Sequence, residues 1–349
     1  MDDVKAGPMH DATPPARAAN QADRRRSRRI WLGGLCAALA LGGLSPAMAS
    51  FPERTIRIII PYAPGGITDN FGRAMAEGMS RELKQPVIAE NRPGAAAAIG
   101  TGFVARSPAD GYTLVVATNG NLVTTPLFQS KLPFDARRDF KVISIAVEVP
   151  TVIVTNTVVP ASDLNQFRRY ATDNAGKVNF ASLGQGNSLF LTAKMLETAL
   201  GIRMTEVPYK GSVPAVTALM ANEVQLYVDV LPGSLQLIRS GKLRALAVPS
   251  NQRLPWLPDV PTLAEAGYAP FHAASWLGLA VPADTPPEVV RILQNAARRA
   301  AAVDRFREAF TNAGVTVMPE MSDADIERYI AADRERWATI IRQHDIKVE

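Results

Sequence analysis

Short apolar strands alternate with amphipathic helices along most of the chain, and this alternation constrains the fold more than any other feature. Residues 55–61 form a nearly continuous apolar, β-branched run, which is typical of a strand buried on both faces. A glycine turn follows, and apolar residues at helical spacing predict a helix that begins near Thr68 or Asp69, both good N-caps. The same order recurs as far as residue 281, which predicts parallel sheets with helices on both faces.

Individual segments are predicted from the same signals. Residues 95–105 are alanine-rich and predict a helix, whereas the apolar, β-branched run at 150–155 predicts a strand. A further helix is predicted over residues 163–174, with Ser162 as its N-cap.

The alternation falls into two sets, and a strand at residues 276–281 returns to the first set. We therefore predict an α/β fold of two parallel-sheet-based lobes, one at residues 50–149 plus 277–349 and the other at 150–276. Because ligands of open α/β sheets bind at the carboxyl ends of the strands, the cleft between the lobes is the expected site.

The N-terminus has the three parts of an export signal. A basic block at residues 24–29 precedes an apolar stretch at 31–44, and Ala47-Met48-Ala49 matches a small-x-small cleavage site. The apolar stretch is shorter than the ~20 residues of a membrane-spanning helix. We therefore predict a signal peptide over residues 1–49, cleaved near Ala49, and a periplasmic mature protein.

Two details of this segment stay open. Ser27-Arg28-Arg29 is followed by apolar residues and resembles a twin-arginine motif, so both the secretory and the twin-arginine route remain possible. Translation starts at either Met1 or Met9.

The charge of the chain is concentrated in that signal. Residues 1–49 contain seven basic and four acidic residues, so they carry +3 of the net +5 and the remaining residues only +2. No basic stripe with interleaved aromatics occurs after residue 50, which argues against nucleic-acid binding.

Few residues of the mature chain suit catalysis or metal binding. Cys36, the only cysteine, lies in the apolar part of the signal, so cleavage leaves no thiolate. His272 and His344 have no metal-ligand spacing, and no Gly-x-Ser-x-Gly or complete nucleotide-binding motif occurs. We expect no metal, no cofactor and no enzyme activity. A hydrolase that pairs a cleft serine with His272 stays open as an alternative, because catalytic triads are spatial.

Three glycine-rich turns follow strands and precede helices, at residues 63–69, 182–188 and 208–214. Each places backbone N–H groups at a helix N-terminus, which carries roughly half a positive charge and favours an anion. Turns between strands and helices often need glycine and caps for structural reasons alone. Three of them on one architecture favour a carboxylate or phosphate cleft.

For five side chains, the sequence is compatible both with a role in ligand binding and with a purely structural role. Asp69 could hold waters in the site or cap a helix, and Thr118 and Asn119 end a strand that faces the cleft. Tyr209 could cover the ligand or cap a core, and Asp229 could bind a ligand amine or hydroxyl or cap the next helix.

Two features of the C-terminal half favour structural roles. Trp276 is predicted to belong to the hinge or the core rather than to a ligand platform. The alternating charges over residues 327–336 predict a solvent-exposed helix face.

Several motifs together resemble the substrate-binding receptors of tripartite tricarboxylate transporters, also called Bug receptors. The resemblance covers about residues 51–349, and its motifs are Phe51-Pro52-Glu53-Arg54-Thr55-Ile56-Arg57, Pro61-Tyr62-Ala63-Pro64-Gly65-Gly66 with Asp69, Glu90-Asn91-Arg92-Pro93-Gly94-Ala95, Pro108-Ala109-Asp110-Gly111-Tyr112-Thr113-Leu114, Val207-Pro208-Tyr209-Lys210-Gly211, Gly241-Lys242-Leu243-Arg244-Ala245-Leu246-Ala247 and Pro258-Asp259-Val260-Pro261-Thr262. The chain departs from the family pattern at Phe190, where many members have His, at Asn187, and in the polar stretch 119–122.

The resemblance implies a type II periplasmic binding protein of the Venus flytrap kind. Such a receptor captures a small carboxylate, namely a di- or tricarboxylate, an aromatic acid, an amino acid or a vitamin-like acid, and delivers it to the membrane permease subunits. Presentation of the ligand to a sensor kinase is the alternative on the same fold. We expect a monomer. The candidate ligand-binding residues are Pro64, Gly65, Gly66, Thr68, Asp69, Thr118, Asn119, Ser182, Gly184, Gly186, Asn187, Ser188, Tyr209, Gly211 and Asp229.

Overall fold

The computed structural model describes residues 51–129 and 131–343. The predicted signal peptide, the two candidate start positions and His344 lie outside the described residues. The strands are β1 (Ile56–Ile60), β2 (Val87–Asn91), β3 (Thr113–Thr118), β4 (Phe140–Asn156), β5 (Asn179–Ser182), β6 (Thr205–Pro208), β7 (Leu226–Val230), β8 (Leu243–Ala247), β9 (Ala274–Pro282) and β10 (Thr316–Val317). The helices are α1 (Ile67–Leu83), α2 (Ala98–Ala105), α3 (Thr125–Phe128), α4 (Leu164–Asp173), α5 (Ser188–Leu200), α6 (Ser212–Met220), α7 (Leu231–Arg239), α8 (Pro287–Ala302), α9 (Asp304–Asn312) and α10 (Asp323–Gln343), with a π-helical turn at Gly120–Thr124.

The strands form one continuous path in the order β2-β1-β3-β9-β4-β7-β5-β6, with β8 and β10 also paired to β4. The outer pairs are parallel, as predicted: β1 with β2 and β3, and β5 with β6 and β7. The central pairs that involve β4 and β9 are antiparallel, so the expectation of purely parallel sheets is wrong there. The reason is that β4 and β9 run in opposite directions side by side.

Strand β4 is much longer than the predicted strand at 150–155. It pairs with β9 over residues 140–150 and with β7 and β8 over residues 151–156, so one strand serves both parts of the sheet. Its register against β9 shifts twice, and Gly278 lies at the shift. A Cβ at Gly278 would lie 1.9 Å from the Ser144 carbonyl oxygen, so only glycine fits this crossing.

Helix α1 carries the predicted apolar face into the core. Phe71, Met75 and Met79 are fully buried, and the Phe71 ring makes edge contacts with Phe306 and Phe310 at centroid distances of 6.2 and 6.1 Å. The helix begins at Ile67 with Gly66 as its N-cap, one or two residues before the predicted start.

Two predicted helix starts are displaced. Residues 95–97 are alanines with positive φ angles of 48°, 49° and 74°, so α2 begins only at Ala98 and not at residue 95. Tertiary contacts therefore override the high helix propensity of alanine. Helix α4 is capped by Asp163 rather than Ser162, because the Asp163 carboxylate accepts the N–H of Gln166 at 2.8 Å.

The C-terminal helix is more buried than its charges indicate. Trp276 is 1% exposed and donates its Nε1 hydrogen to Asp333 at 2.9 Å, which agrees with a core role. Asp333 is itself only 3% exposed and pairs with Arg336, so the prediction of a solvent-exposed face is wrong at this residue. An ion pair and an indole hydrogen bond compensate for the burial of the carboxylate.

Within the described residues, no helix has the length and apolar character that a bilayer crossing requires. The same part of the chain contains no group of three or more His, Cys, Asp or Glu side chains placed to hold a metal ion.

Candidate ligand-binding site

A small cavity lies where β1, β3, β5 and β7 end, beside the N-termini of three helices. Its volume is about 50 Å³. A water-sized group needs roughly 10–15 Å³ on this measure, so the cavity holds a few such groups. The lining residues are Tyr62, Ala63, Gly66, Ile67, Thr68, Thr118, Asn119, Gly120, Val149, Leu183, Asn187, Ser188, Leu189, Gly211, Ser212, Val230, Ser275 and Leu277.

The N-caps of α1, α5 and α6 all line this cavity. They are Gly66, Asn187 and Gly211. The Asn187 Oδ1 atom accepts the N–H of Leu189 at 3.0 Å, which leaves its Nδ2 group as a donor. Unsatisfied N–H groups and the helix dipoles make this side of the cavity favourable for an anion.

Among the described residues, none that lines the cavity carries a charged side chain. A carboxylate lies directly behind the wall, however, because Ser212 Oγ is 2.7 Å from Oδ1 of the fully buried Asp229. Oδ2 of the same carboxylate accepts Ser234 at 2.7 Å. Burial raises the pKa of Asp229 to about 6, against the opposing effect of hydrogen bonds from Ser212 and Ser234.

The end of β3 forms a buried polar network at the cavity. Asn119 donates its Nδ2 hydrogen to the Ala274 carbonyl at 3.0 Å and accepts Ser275 Oγ at 2.7 Å. Thr118 lies 3.2 Å from the Tyr62 hydroxyl, and both residues line the cavity. Strand β9 and the end of β3 are therefore held together at the site.

Loops from the two halves of the sheet meet around the cavity. The N–H of Ala63 lies 3.3 Å from the Lys210 carbonyl, and Gln129 Nε2 lies 3.2 Å from the Gln185 carbonyl. The Phe128 and Phe190 rings make an edge contact at 5.7 Å. The loops from the two halves of the sheet are therefore in direct contact beside the cavity. The side chain of Phe190 packs on Phe128 and is not part of the cavity lining.

The structure brings seven of the fifteen candidate residues into the cavity wall. They are Gly66, Thr68, Thr118, Asn119, Asn187, Ser188 and Gly211.

Four of the remaining candidates support the cavity loops from behind. The Gly65 N–H donates to Asp69 at 3.0 Å, and Pro64 precedes it in the same loop. Asp69 is 4% exposed and also accepts Arg73 and Asn91, so both of its oxygens are engaged by neighbouring protein groups. Asp229 supports Ser212, as described above.

The other four candidates belong to the loops after β5 and β6. Ser182 donates to Glu206 at 2.5 Å and accepts the N–H of Gly184 at 3.1 Å. Gly186 lies against the side chain of Phe128, where an added Cβ would approach the Phe128 Cβ to 2.8 Å and the ring to 3.1 Å. Tyr209 is half-buried, and its N–H donates to the Ser182 carbonyl at 2.8 Å.

Sequence reasoning missed several cavity residues. Tyr62 and Ser212 lie inside or next to the glycine-rich motifs, so proximity to those motifs was a usable signal. Ser275 lies 156 residues from its partner Asn119, and no local pattern indicates it. The apolar part of the wall, which includes Val149 and Leu277, was also missed because apolar strand residues look like core.

His272, the base of the alternative hydrolase, is not among the lining residues of this cavity. It contributes instead to a separate surface groove beside Arg336 and Glu335. A serine in the cavity therefore has no histidine beside it among the described residues.

Comparison with known proteins identifies the family. Residues 71–346 match the family described as "Tripartite tricarboxylate transporter family receptor" (TctC). The chain belongs to this receptor family. The receptor is 33% identical to protein BugT of Bordetella pertussis over 315 residues, which cover 89% of this chain and 96% of BugT. It is 34% identical to a UPF0065 protein of Pseudomonas sp. strain P51, over 91% of this chain and 94% of that protein.

Solved structures have the same fold. The periplasmic binding protein BugD superposes with a TM-score of 0.81 at 32% identity, over 85% of this chain and 99% of BugD. Rpa4515 of R. palustris with adipate gives 0.80 at 30% identity, over 85% and 99% of the two chains. MatC from Rhodopseudomonas palustris with bound malate gives 0.80 at 29% identity, over 83% and 100%. The receptor therefore has the two-lobed fold of periplasmic binding proteins, as predicted.

Proposed function

We propose that this receptor captures a small carboxylate in this cavity and delivers it to a tripartite tricarboxylate-type membrane permease. The observation that carries the proposal is the convergence of three helix N-termini on one small cavity without a charged side chain. Backbone and side-chain N–H groups at such termini bind an anion without a cationic residue. The adipate and malate bound by two structurally similar proteins support a carboxylate as that anion.

The proposed carboxylate contacts come from the turns at Gly66, Asn187 and Gly211, with Thr68 and Ser188 as hydroxyl donors. Thr118 and Asn119 complete the wall from the end of β3. The other candidate residues hold these loops in position. Binding without catalysis fits a cavity in which no histidine or carboxylate side chain faces the ligand.

Ligand capture is proposed to involve movement of two lobes, residues 50–149 plus 277–349 and residues 150–276. The strands β4 and β9 pair along residues 140–150, next to the proposed boundaries, and would act as the hinge. Contacts across the cavity, such as Ala63 with Lys210, would then form on closure.

Residues 1–49 are proposed as a cleaved export signal, which places the mature receptor in the periplasm as a monomer. Intact mass of the exported protein and its sedimentation behaviour test this part directly.

A thermal-shift screen of carboxylates on the mature protein tests the binding function. A ligand at 100 times its dissociation constant adds about 2.7 kcal/mol to the free energy of unfolding. We expect at least one small carboxylate to raise the melting temperature and to bind at micromolar concentration by calorimetry. Uncharged amides of the same acids serve as controls, since they lack the anion. An absence of binding by every carboxylate would refute the proposal.

A further inference from the structure

Several hydroxyl groups line the cavity, and for three of them the hydrogen-bond network assigns the proton and leaves only acceptor sites for a ligand. These three belong to Tyr62, Ser212 and Ser275. Each hydroxyl has one proton and two lone pairs, so a hydroxyl whose proton is committed elsewhere offers only acceptor sites to a ligand.

The proton of Ser212 is committed to Asp229. The distance from Ser212 Oγ to Asp229 Oδ1 is 2.7 Å, and an ionised carboxylate can only accept. The second oxygen of Asp229 accepts Ser234, and no described lysine or arginine forms an ion pair with this carboxylate. The negative charge behind Ser212 is therefore not neutralised by a cation.

The proton of Ser275 is committed to Asn119. The Asn119 Nδ2 group donates to the carbonyl of Ala274 at 3.0 Å, which identifies the other amide atom as the oxygen. That oxygen lies 2.7 Å from Ser275 Oγ, so the serine must be the donor.

The proton of Tyr62 is committed to Thr118 by the same reasoning. The Thr118 N–H donates to Asn121 Oδ1 at 2.8 Å, which establishes that atom as an oxygen. The Thr118 hydroxyl donates to the same oxygen at 3.0 Å, so its only proton is used. Tyr62, at 3.2 Å from Thr118 Oγ1, must then donate to it.

The cavity therefore has two chemically different sides. The helix N-termini supply N–H donors, to which Asn187 adds its Nδ2 group. Tyr62, Ser212 and Ser275 supply acceptor oxygens, and the uncompensated charge of Asp229 lies behind one of them. A second carboxylate would meet lone pairs with no cation nearby, which is unfavourable. The remaining Nδ2 proton of Asn119 can serve a ligand hydroxyl, which both donates and accepts.

The size of the cavity limits the distance between the two ligand groups. A cavity of about 50 Å³ best fits a ligand whose donor lies within one or two bonds of the carboxylate carbon. We propose that the preferred ligand is an α-amino or α-hydroxy monocarboxylate, and that acids without a donor beside the carboxylate, dicarboxylates included, bind more weakly. This inference rests on the proposed carboxylate-binding function and narrows its ligand class.

A matched set of three-carbon acids tests the inference by calorimetry at pH 8. We expect L-alanine or L-lactate to bind at least tenfold more tightly than propionate and malonate, which have the same number of carbons but no α-donor. β-Alanine, with its ammonium one carbon further away, should lose much of the advantage. If three-carbon acids bind too weakly to measure, norvaline, 2-hydroxyvalerate, valerate and glutarate give the same comparison with five carbons.

Serine variants test whether the preference for α-substituted acids arises from the acceptor oxygens of the cavity wall. Ser212→Ala and Ser275→Ala should each reduce the preference for the α-substituted acid by about tenfold and change propionate affinity less than twofold. Ser234→Ala removes the other hydroxyl partner of Asp229 without touching the cavity and should keep the preference. Melting curves confirm that each variant is folded.

Failure of this inference and failure of the proposed carboxylate-binding function would give different results. Equal or tighter binding of propionate or malonate by the wild-type protein would overturn the inference and leave the carboxylate function intact. A preference that survives both serine variants would also overturn it, because the acceptor side would then lie elsewhere. Failure of every acid, longer ones included, would remove the proposed function and the inference with it.

Discussion

The first turn of α1 and the wall formed by α6 and β7 each bury one aspartate beside the cavity, with opposite electrostatic results. Asp69 in the first turn of α1 accepts hydrogen bonds from Arg73 at 3.0 Å, from the Gly65 N–H at 3.0 Å and from Asn91 at 2.8 Å. Burial alone would raise its pKa, but these hydrogen bonds and the arginine charge lower it.

Asp229 in the wall has serine hydroxyls as its side-chain partners and no ion pair with a described cation, so burial raises its pKa to about 6. The difference shows that a neighbouring cation helps decide whether the pKa of a buried aspartate is lowered or raised. Arg73 neutralises the charge of the buried Asp69 carboxylate, whose hydrogen bond to the Gly65 N–H holds the turn before α1 in position. Asp229 has no such cation among the described residues, so its negative charge is not neutralised when it is ionised, and this charge lies directly behind Ser212 in the cavity wall.

The largest loss of ligand affinity is expected from Gly66→Val, in the turn before α1. The Gly66 φ angle is −82°, and a Cβ there meets nothing within 4 Å, so the backbone accepts valine without strain. The three side-chain carbons would fill most of a cavity of about 50 Å³. A micromolar ligand, with about 8.2 kcal/mol of binding free energy, should weaken to millimolar or beyond, roughly a thousandfold.

Gly66→Ala is the matched control, since it adds one carbon at the same place and should cause a smaller loss. Calorimetry and circular dichroism on the same samples measure both effects. Unchanged affinity in Gly66→Val would exclude this turn from the site, and global unfolding would make it a structural turn.

The two aspartates predict opposite dependences of stability on pH. The pKa of Asp229 is higher in the folded state than its ordinary value near 4, so its contribution to stability is full below pH 4 and is lost as pH rises through about 6. Relative to Asp229→Asn, the wild type should therefore lose about 2–3 kcal/mol between pH 4 and pH 8.

Asp69→Asn is the contrasting variant. Because the folded-state pKa of Asp69 is lowered, its contribution is present above pH 4 and disappears only at more acidic pH. The loss of stability in this variant should hence stay constant between pH 5 and pH 8. Urea unfolding across this range measures the free energy of unfolding of each protein. If the wild type and Asp229→Asn differ by the same amount at every pH, the raised pKa of Asp229 is contradicted.

The smallest change in ligand affinity is expected at the aromatic contact between Phe128 and Phe190, which joins the two sides of the cavity. Phe128→Leu should weaken ligand binding by up to about tenfold, because an aromatic pair contributes roughly 0.5–1.5 kcal/mol beyond its buried area. Dissociation should become faster, since the ring contact would stabilise the closed state.

Phe134→Leu offers a control with similar geometry, because the Phe134 and Phe140 rings also make an edge contact at 5.7 Å but lie away from the cavity. It should lower stability and leave affinity unchanged. Stopped-flow dissociation rates separate the two variants, and equal effects on affinity would show that Phe128 has no special role in closure.

Local patterns were sufficient for much of the fold. The apolar run of β1, the buried face of α1 and the glycine turns before α1, α5 and α6 were predicted within a few residues. Each depends on neighbours in sequence, such as side-chain periodicity or the need for a turn between a strand and a helix. The same turns led to five residues that the structure brings into the cavity wall, and the predicted end of β3 led to two more.

Local patterns failed where distant segments compete with propensity. Residues 95–97 are alanines, yet they adopt positive φ angles, with Ala96 near the turn at Gly184. Asp333 looks like part of a charged helix face but is buried against Trp276. The length of β4 and its antiparallel pairing with β9 also depend on partners more than a hundred residues away.

The sequence by itself therefore determined the strand–helix order, the family motifs and the turns that supply N–H donors, since all of these are encoded within a few consecutive residues. Only the tertiary structure decided which hydroxyls in the cavity wall use their protons within the protein. Ser275 meets Asn119 across 156 residues, and Ser212 meets Asp229 across 17. The direction of a hydroxyl proton depends on the atom that accepts it, and that atom is brought within 2.7 Å only when the chain has folded.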